Sequence, residues 1–196
     1  MHIYLIIMYN GVVCKEEPTE VNNMLKDKKI LTIVSADYDD LEFHYPIIRL
    51  NEEGVSVTVA SETKGEHVKG KYGLSKVSDI SFDEVDIAQY DGILIPGGWA
   101  PDYLRRFDSI LDFVKYMDKN NKLIGIICHA GWVLSSADIL KGRTVTSTPG
   151  IKHDLMHAGA EWVNEAAITD GNLVSGRRPP DLHVYVPMLI EVLKNQ

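Results

Sequence analysis

Three short stretches carry residue types that can do covalent chemistry. In "LIGIICHAGWVLSSADIL" (123–140), Cys128 stands where an apolar run ends, and His129 follows at once. In "ILIPGGWAPDYLR" (93–105), another apolar run leads into the pair Gly97-Gly98. In "ADYDDLE" (36–42), four carboxylates, Asp37, Asp39, Asp40 and Glu42, crowd behind a third. A cysteine at the start of a helix faces unpaired N–H groups and the positive dipole end, which lowers its pKa and raises its thiolate fraction. Free cysteine is also a common buried hydrophobe, so position leaves both readings open. Glycines let backbone N–H groups approach a developing oxyanion, and Gly98 with the N–H of His129 suits that role; a plain tight turn uses the same residues. A carboxyl held neutral by burial can hydrogen-bond a thiolate or shuttle a proton, whereas most acids in such a cluster are solvated or cap the next helix.

The remaining candidates are weaker. His153 and His157, four apart, share one helix face, but without a third ligand the spacing reads as a solvated face and no metal is expected. No G-x-G-x-x-G or P-loop pattern occurs, so no nucleotide cofactor is expected.

The elements that must position these residues alternate regularly. "KILTIVS" (29–35), "VSVTVAS" (55–61), "DGILIPGG" (91–98) and "KLIGIIC" (122–128) are short apolar runs of the kind buried on both faces of a sheet. Between them, 40–54 has helical spacing with Pro46 as a kink or first-turn residue, and 108–120 is amphipathic. Residues 129–140 continue as a helix. "GEHVKGKYG" reads as a hairpin or ribbon, "SFDEVDIAQY" as a short helical turn, and "AAITDGNLVSGR" as a hairpin turning at Asp170-Gly171. Helices follow around 150–159 and from Asp181. Such alternation implies right-handed crossovers and a mostly parallel sheet covered on both faces.

With 196 residues, 45% of them hydrophobic, the chain suits one domain over 28–196 preceded by an extension, 1–27. The extension reads as a wrongly assigned start with Met24 as the true one, as an extra strand, or as a segment that packs on a partner. Its apolar run is too short to span a bilayer, and no positive residue precedes it as a signal peptide requires. A net charge of −8 argues against a nucleic-acid surface. Two cysteines, Cys14 and Cys128, make no disulfide framework, so a reducing cytoplasmic setting with a free thiol is expected.

Taken together, "ADYDDLEFHYPIIRLNEEG", "ILIPGGWAPDYLR", "IICHAGWVLSSADILKGR", "TSTPGIKHDLMHAGAEWV" and "DGNLVSGRRPPDL" fall in the order seen in the PfpI family. The chain from about Lys29 to Leu193 resembles these intracellular cysteine proteases of the class I glutamine amidotransferase-like superfamily, to which deglycase and glyoxalase relatives also belong. The resemblance implies a flavodoxin-like three-layer α/β sandwich with Cys128 as nucleophile on an elbow and His129 as base. It implies that Asp102, in a neighbouring copy, orients that histidine, so the protein is expected to be a homo-oligomer, a dimer or a hexamer. Counting back from the shared "YP" sets Asp39 at the family's glutamate position, one methylene shorter. The family's "CHGP" is "CHAG" here with Trp132 following; Gly97, Gly98, Trp99 and Trp132 would shape the substrate site. Peptide hydrolysis is the reading that carries the family's own label. Attack on a small aldehyde such as methylglyoxal is the alternative, and a non-enzymatic oxidation sensor or chaperone is the third.

Overall fold

The computed structural model describes residues 25–196. The expectations for residues 1–24, including the alternative start at Met24, fall outside that range. Chain order is β1 (Lys29–Ile33), α1 (Asp40–Glu52), β2 (Ser56–Ser61), a ribbon of β3 (His67–Lys69) and β4 (Ser75–Val77), β5 (Ile80–Ser81), β6 (Gly92–Ile95), α2 (Ala100–Leu104), α3 (Asp108–Lys119) and β7 (Leu123–Ile127). Then come α4 (Gly131–Ser136), β8 (Thr144–Val145), α5 (Lys152–His157), β9 (Glu161–Trp162), β10 (Ala167–Asp170), β11 (Leu173–Gly176) and α6 (Leu182–Lys194). Seven strands form one sheet in the order β10-β11-β7-β6-β1-β2-β5. Its pairings are parallel except for the β10–β11 hairpin. The architecture is α/β with a mostly parallel central sheet between helical layers.

Period-two side-chain alternation explains the layering. Ile93 and Ile95 of β6, with Ile124 and Ile126 of β7, join a core with α3, α4 and α5. Leu94, Leu123 and Ile127 point the other way, into a core with α6, Leu50 of α1 and Leu25. Gly125 faces α6 across β7: an added Cβ would stand 2.7 Å from Leu189 Cδ2 and 2.9 Å from the Tyr185 hydroxyl.

The site is placed by strand order. From β1 the chain builds β2 and β5 on one side, then returns to lay β6 on the other, so the connections diverge between β1 and β6. Clefts form outside the carboxyl ends of strands at such a divergence. Ile95 pairs with Ile126, so β6 and β7 end level, bringing the glycine pair beside Cys128. The three chemically loaded stretches leave the ends of β1, β6 and β7.

Some local expectations shift. α1 runs unbroken through Pro46. The segment from Cys128 is a 3₁₀ turn, Cys128–Ala130, before the six-residue α4, because Asp138 ends that run with a left-handed backbone (φ 58°). α2, which carries Asp102, has only five residues and no apolar periodicity to announce it. No helix among the described residues is long and apolar enough to cross a membrane.

Asp40, 3% exposed, ties the ribbon to α1: its carboxylate accepts the backbone N–H groups of Tyr72 (2.8 Å) and Leu74 (2.7 Å). Asp40→Ala strands both donors at the tip that carries Lys71, and a loss of about 1–3 kcal/mol is expected in urea unfolding. Amide exchange at Tyr72 and Leu74 should quicken while β7 stays protected. An unchanged midpoint with unchanged exchange would show that the clamp contributes nothing.

Candidate functional site

Two glycines are sterically required here. A Cβ on Gly97 would strike Glu42 Oε2 and stand 2.7 Å from the Cβ of Cys128. Gly98 has φ 74°, and its Cβ would meet the backbone of the 37–39 loop, 2.5 Å from the nitrogen of Asp39. That loop lies over the strand ends because Tyr38 bridges to both Gly98 and Gly70.

Cys128 is partly buried and has φ 60°, a conformation that costs a non-glycine residue about 1–3 kcal/mol. The backbone N–H groups of Gly98 and His129 both point at its sulfur, which lies 3.3 Å from His129 Nδ1. These donors favour the thiolate, but burial pushes the thiol up from its ordinary range, and the Glu42 charge pushes further. The lowering expected from a helix start is thus outweighed: only a three-residue turn and a short helix follow the cysteine, and water is largely excluded.

Of the four clustered acids, it is Glu42 that lies beside the sulfur. It is 3% exposed, and its Oε2 accepts the Gly97 N–H at 2.8 Å. Oε1 has no partner among the described residues. Burial, then the charge of Asp39, raises its pKa from 4.5 to about 8, although the Gly97 N–H, a hydrogen bond with the Cys128 thiol and Lys71 oppose the shift. Asp39 is the N-cap of α1, and its Oδ1 accepts the N–H groups of Leu41 (3.2 Å) and Glu42 (3.3 Å). Its carboxylate is therefore committed to the helix, while Glu42, one turn on, supplies the group facing the thiol. Asp37 has a left-handed backbone (φ 61°) and Asp40 holds the ribbon.

His129 lies between two indoles, with ring centroids 5.3 Å from Trp99 and 5.1 Å from Trp132. Burial, then the nearby Lys71 ammonium, lowers its pKa. Asp102 is not brought to His129 within the chain: its carboxylate pairs with Arg106, just past the end of α2, and is half exposed. A cavity of about 350 Å³ opens beside Trp99, lined by Asp37, Glu62, Glu66 and Asp102 among others, rather than over the sulfur. His153 and His157 are exposed on α5, and among the described residues no group of three His, Cys, Asp or Glu is placed to hold a metal.

Sequence reasoning gave no role to Lys71, Arg105 or Asp154. Lys71 is brought in only by the ribbon, and Asp154 by the Trp132 indole N–H it accepts at 2.7 Å. The Asp39-to-Glu42 spacing does carry a signal, that of a capping box. Here Glu42 leaves the box and turns to Gly97 instead.

Comparison with known proteins identifies the family. The model of the DJ-1/PfpI family matches residues 28–192. A Pyrococcus furiosus protein named Deglycase PfpI is 39% identical over 166 residues, which is 85% of this chain and 99% of that one. A Bacillus subtilis protein named putative cysteine protease YraA is 35% identical over 167 residues, again 85% and 99%. Among solved structures, an Anabaena variabilis protein with DJ-1/ThiJ/PfpI-like and ferritin-like domains superposes with a TM-score of 0.83 at 35% identity; the match covers 85% of this chain but only 48% of that two-domain protein. Drosophila melanogaster DJ-1beta superposes with a TM-score of 0.81 at 26% identity, covering 87% and 92%. The chain belongs to the DJ-1/PfpI family.

Proposed function

We propose that this protein is a thiol-dependent enzyme of the deglycase or glyoxalase kind, acting on methylglyoxal or the groups it modifies. The observation that carries the reading is the buried carboxyl of Glu42 beside Cys128, fixed by the Gly97 N–H at 2.8 Å. With a pKa near 8, Glu42 keeps its proton at neutral pH and can hydrogen-bond the thiolate that forms when Cys128 ionises, while the N–H groups of Gly98 and His129 add two further donors. Cys128, held left-handed between β7 and its turn, acts as an elbow nucleophile. The family's deglycase-named members, matched over nearly their whole length, support this chemistry ahead of peptide hydrolysis; the protease-named Bacillus relative keeps hydrolysis as the second reading.

The chemistry needs no external oxidant. The sulfur adds to the aldehyde carbon, the carbonyl electron pair moves to oxygen, and a proton taken up there gives a hemithioacetal. His129, 3.3 Å from the sulfur, removes the carbon-bound proton and returns one to the adjacent carbon, while the hydroxyl proton passes from the first oxygen to the second through the intervening enediol. The resulting thioester is cleaved by water, giving a hydroxy acid and the free thiol. The same sulfur and donors would serve a peptide carbonyl.

Asp102 enters through assembly. Its carboxylate lies at the surface, paired with Arg106 just past the end of α2, where a second copy can meet it. In a homo-oligomer it would orient His129 of the neighbouring copy.

Three measurements test these roles. Wild type and Cys128→Ser are to be incubated with methylglyoxal and, separately, with a fluorogenic peptide. Lactate formation by wild type alone is expected; peptide cleavage alone would restore the protease reading, and no turnover with ready peroxide oxidation of Cys128 would favour a sensor. In the second, iodoacetamide reacts with Cys128 across a pH series. Because folded Glu42 is protonated below about 8, Glu42→Leu removes a donor to the thiolate and should slow alkylation at pH 7 about tenfold, with Glu42→Gln intermediate. The wild-type advantage should fade as pH rises through 8 and the carboxylate begins to repel the thiolate. Faster alkylation of the leucine variant at pH 7 would remove Glu42 from this role. Third, Asp102→Asn should lower kcat without changing Cys128 alkylation. A monomer of full activity would rule out help from a second copy.

A further inference from the structure

The two tryptophans beside His129 form part of a longer row. Lys71 Nζ lies 5.9 Å from the Trp99 ring, Trp99 is 5.3 Å from His129, His129 is 5.1 Å from Trp132, and the Arg105 guanidinium lies 5.9 Å beyond Trp132. The Trp132 indole is pinned from outside the site, whereas Trp99 is 54% exposed and held through its backbone. The Trp132 N–H is accepted by Asp154, and Arg105, bonded through Nε to Ser136 at 2.8 Å, sits beyond its ring. The Trp99 backbone N–H is accepted by the Asp37 carbonyl at 2.9 Å. Trp132, held by Asp154, limits how far the imidazole can swing on its side, and Trp99 flanks it as well. Both centroids lie within the roughly 6 Å over which an aromatic face attracts a cation.

We infer that Trp99 and Trp132 are positioning residues that hold the His129 ring toward Cys128 and stabilise its protonated form through their π faces. The inference rests on His129 acting as the base. A base that must accept a proton inside a partly dry site gains from neighbours that favour the imidazolium without neutralising it. Other charges face the ring from several elements: Lys71 from the ribbon disfavours protonation, and Cys128 with Glu42 behind it lies at the ring's edge. Arg105 and Asp154 reach it through Trp132, while Asp102 of α2 pairs with Arg106 in the turn that follows.

The test compares Trp99→Leu, Trp132→Leu and Trp132→Phe in the full chain. Leucine keeps an apolar cover but removes the π face; phenylalanine keeps a face and loses the N–H. The His129 ring is titrated by NMR, its signals assigned with His129→Gln, and kcat is measured against pH with methylglyoxal. Each leucine variant should lower the His129 midpoint by roughly half a unit to one unit. Each should also cut kcat about three- to tenfold with little change in KM, and move the acid limb of the profile in step with the midpoint. Trp132→Phe should retain most of the wild-type midpoint, which also covers the case in which a leucine variant fails to fold. A midpoint that stays or rises on loss of the π face, or that falls as far with phenylalanine as with leucine, overturns the inference. The titration needs no turnover: if the midpoint moves as expected while His129→Gln stays fully active, the ring sandwich stands and the base assignment fails.

Discussion

The Gly97 peptide is gripped at both ends by the start of α1. Its N–H is accepted by Glu42, and its carbonyl accepts the N–H of Asp39 at 3.3 Å. That double contact fixes how closely the first helix approaches the end of β6, and everything at the site inherits its spacing from it. With any side chain at Gly97 the helix would retreat, Glu42 would leave the sulfur, and the 37–39 loop would lose its seat on Gly98. The cleft is therefore set by backbone contact, and its reactive side chains are carried on a frame with almost no slack.

Electrostatics at this point is a contest that burial wins. Glu42 sits in the first turn of α1, where a helix dipole favours a negative charge, and it receives a backbone N–H. Both effects should hold it ionised. Removal from water and the neighbouring Asp39 charge outweigh them. The same desolvation raises the thiol and lowers the imidazole, so all three groups prefer their uncharged forms.

Much of this was legible in the sequence, and the gaps have physical causes. The strands ending before Gly97 and Cys128 announced themselves as apolar runs, because strands buried on both faces need no polar alternation. The side-by-side placement of the glycine pair and the cysteine followed from the alternation of strands and helices. Which acid faces the sulfur did not: Asp39 and Glu42 differ by one helical turn, and only the direction in which α1 meets β6 decides between them. Lys71 was invisible for a similar reason. A three-residue strand pair brings it to the site, and its anchor, Asp40, lies 31 positions away in the chain. The five-residue α2 shows no period, so the surface position of Asp102 needed coordinates.

The left-handed backbone at Cys128 has a consequence for how the chain can change. Glycine would relieve the strain there, and serine would preserve it, so the substitutions that most ease folding at this turn are those that discard the thiol. Stability and reactivity pull opposite ways on a single codon. A descendant released from its chemistry would have a short downhill route to a sturdier, inert copy of the same fold.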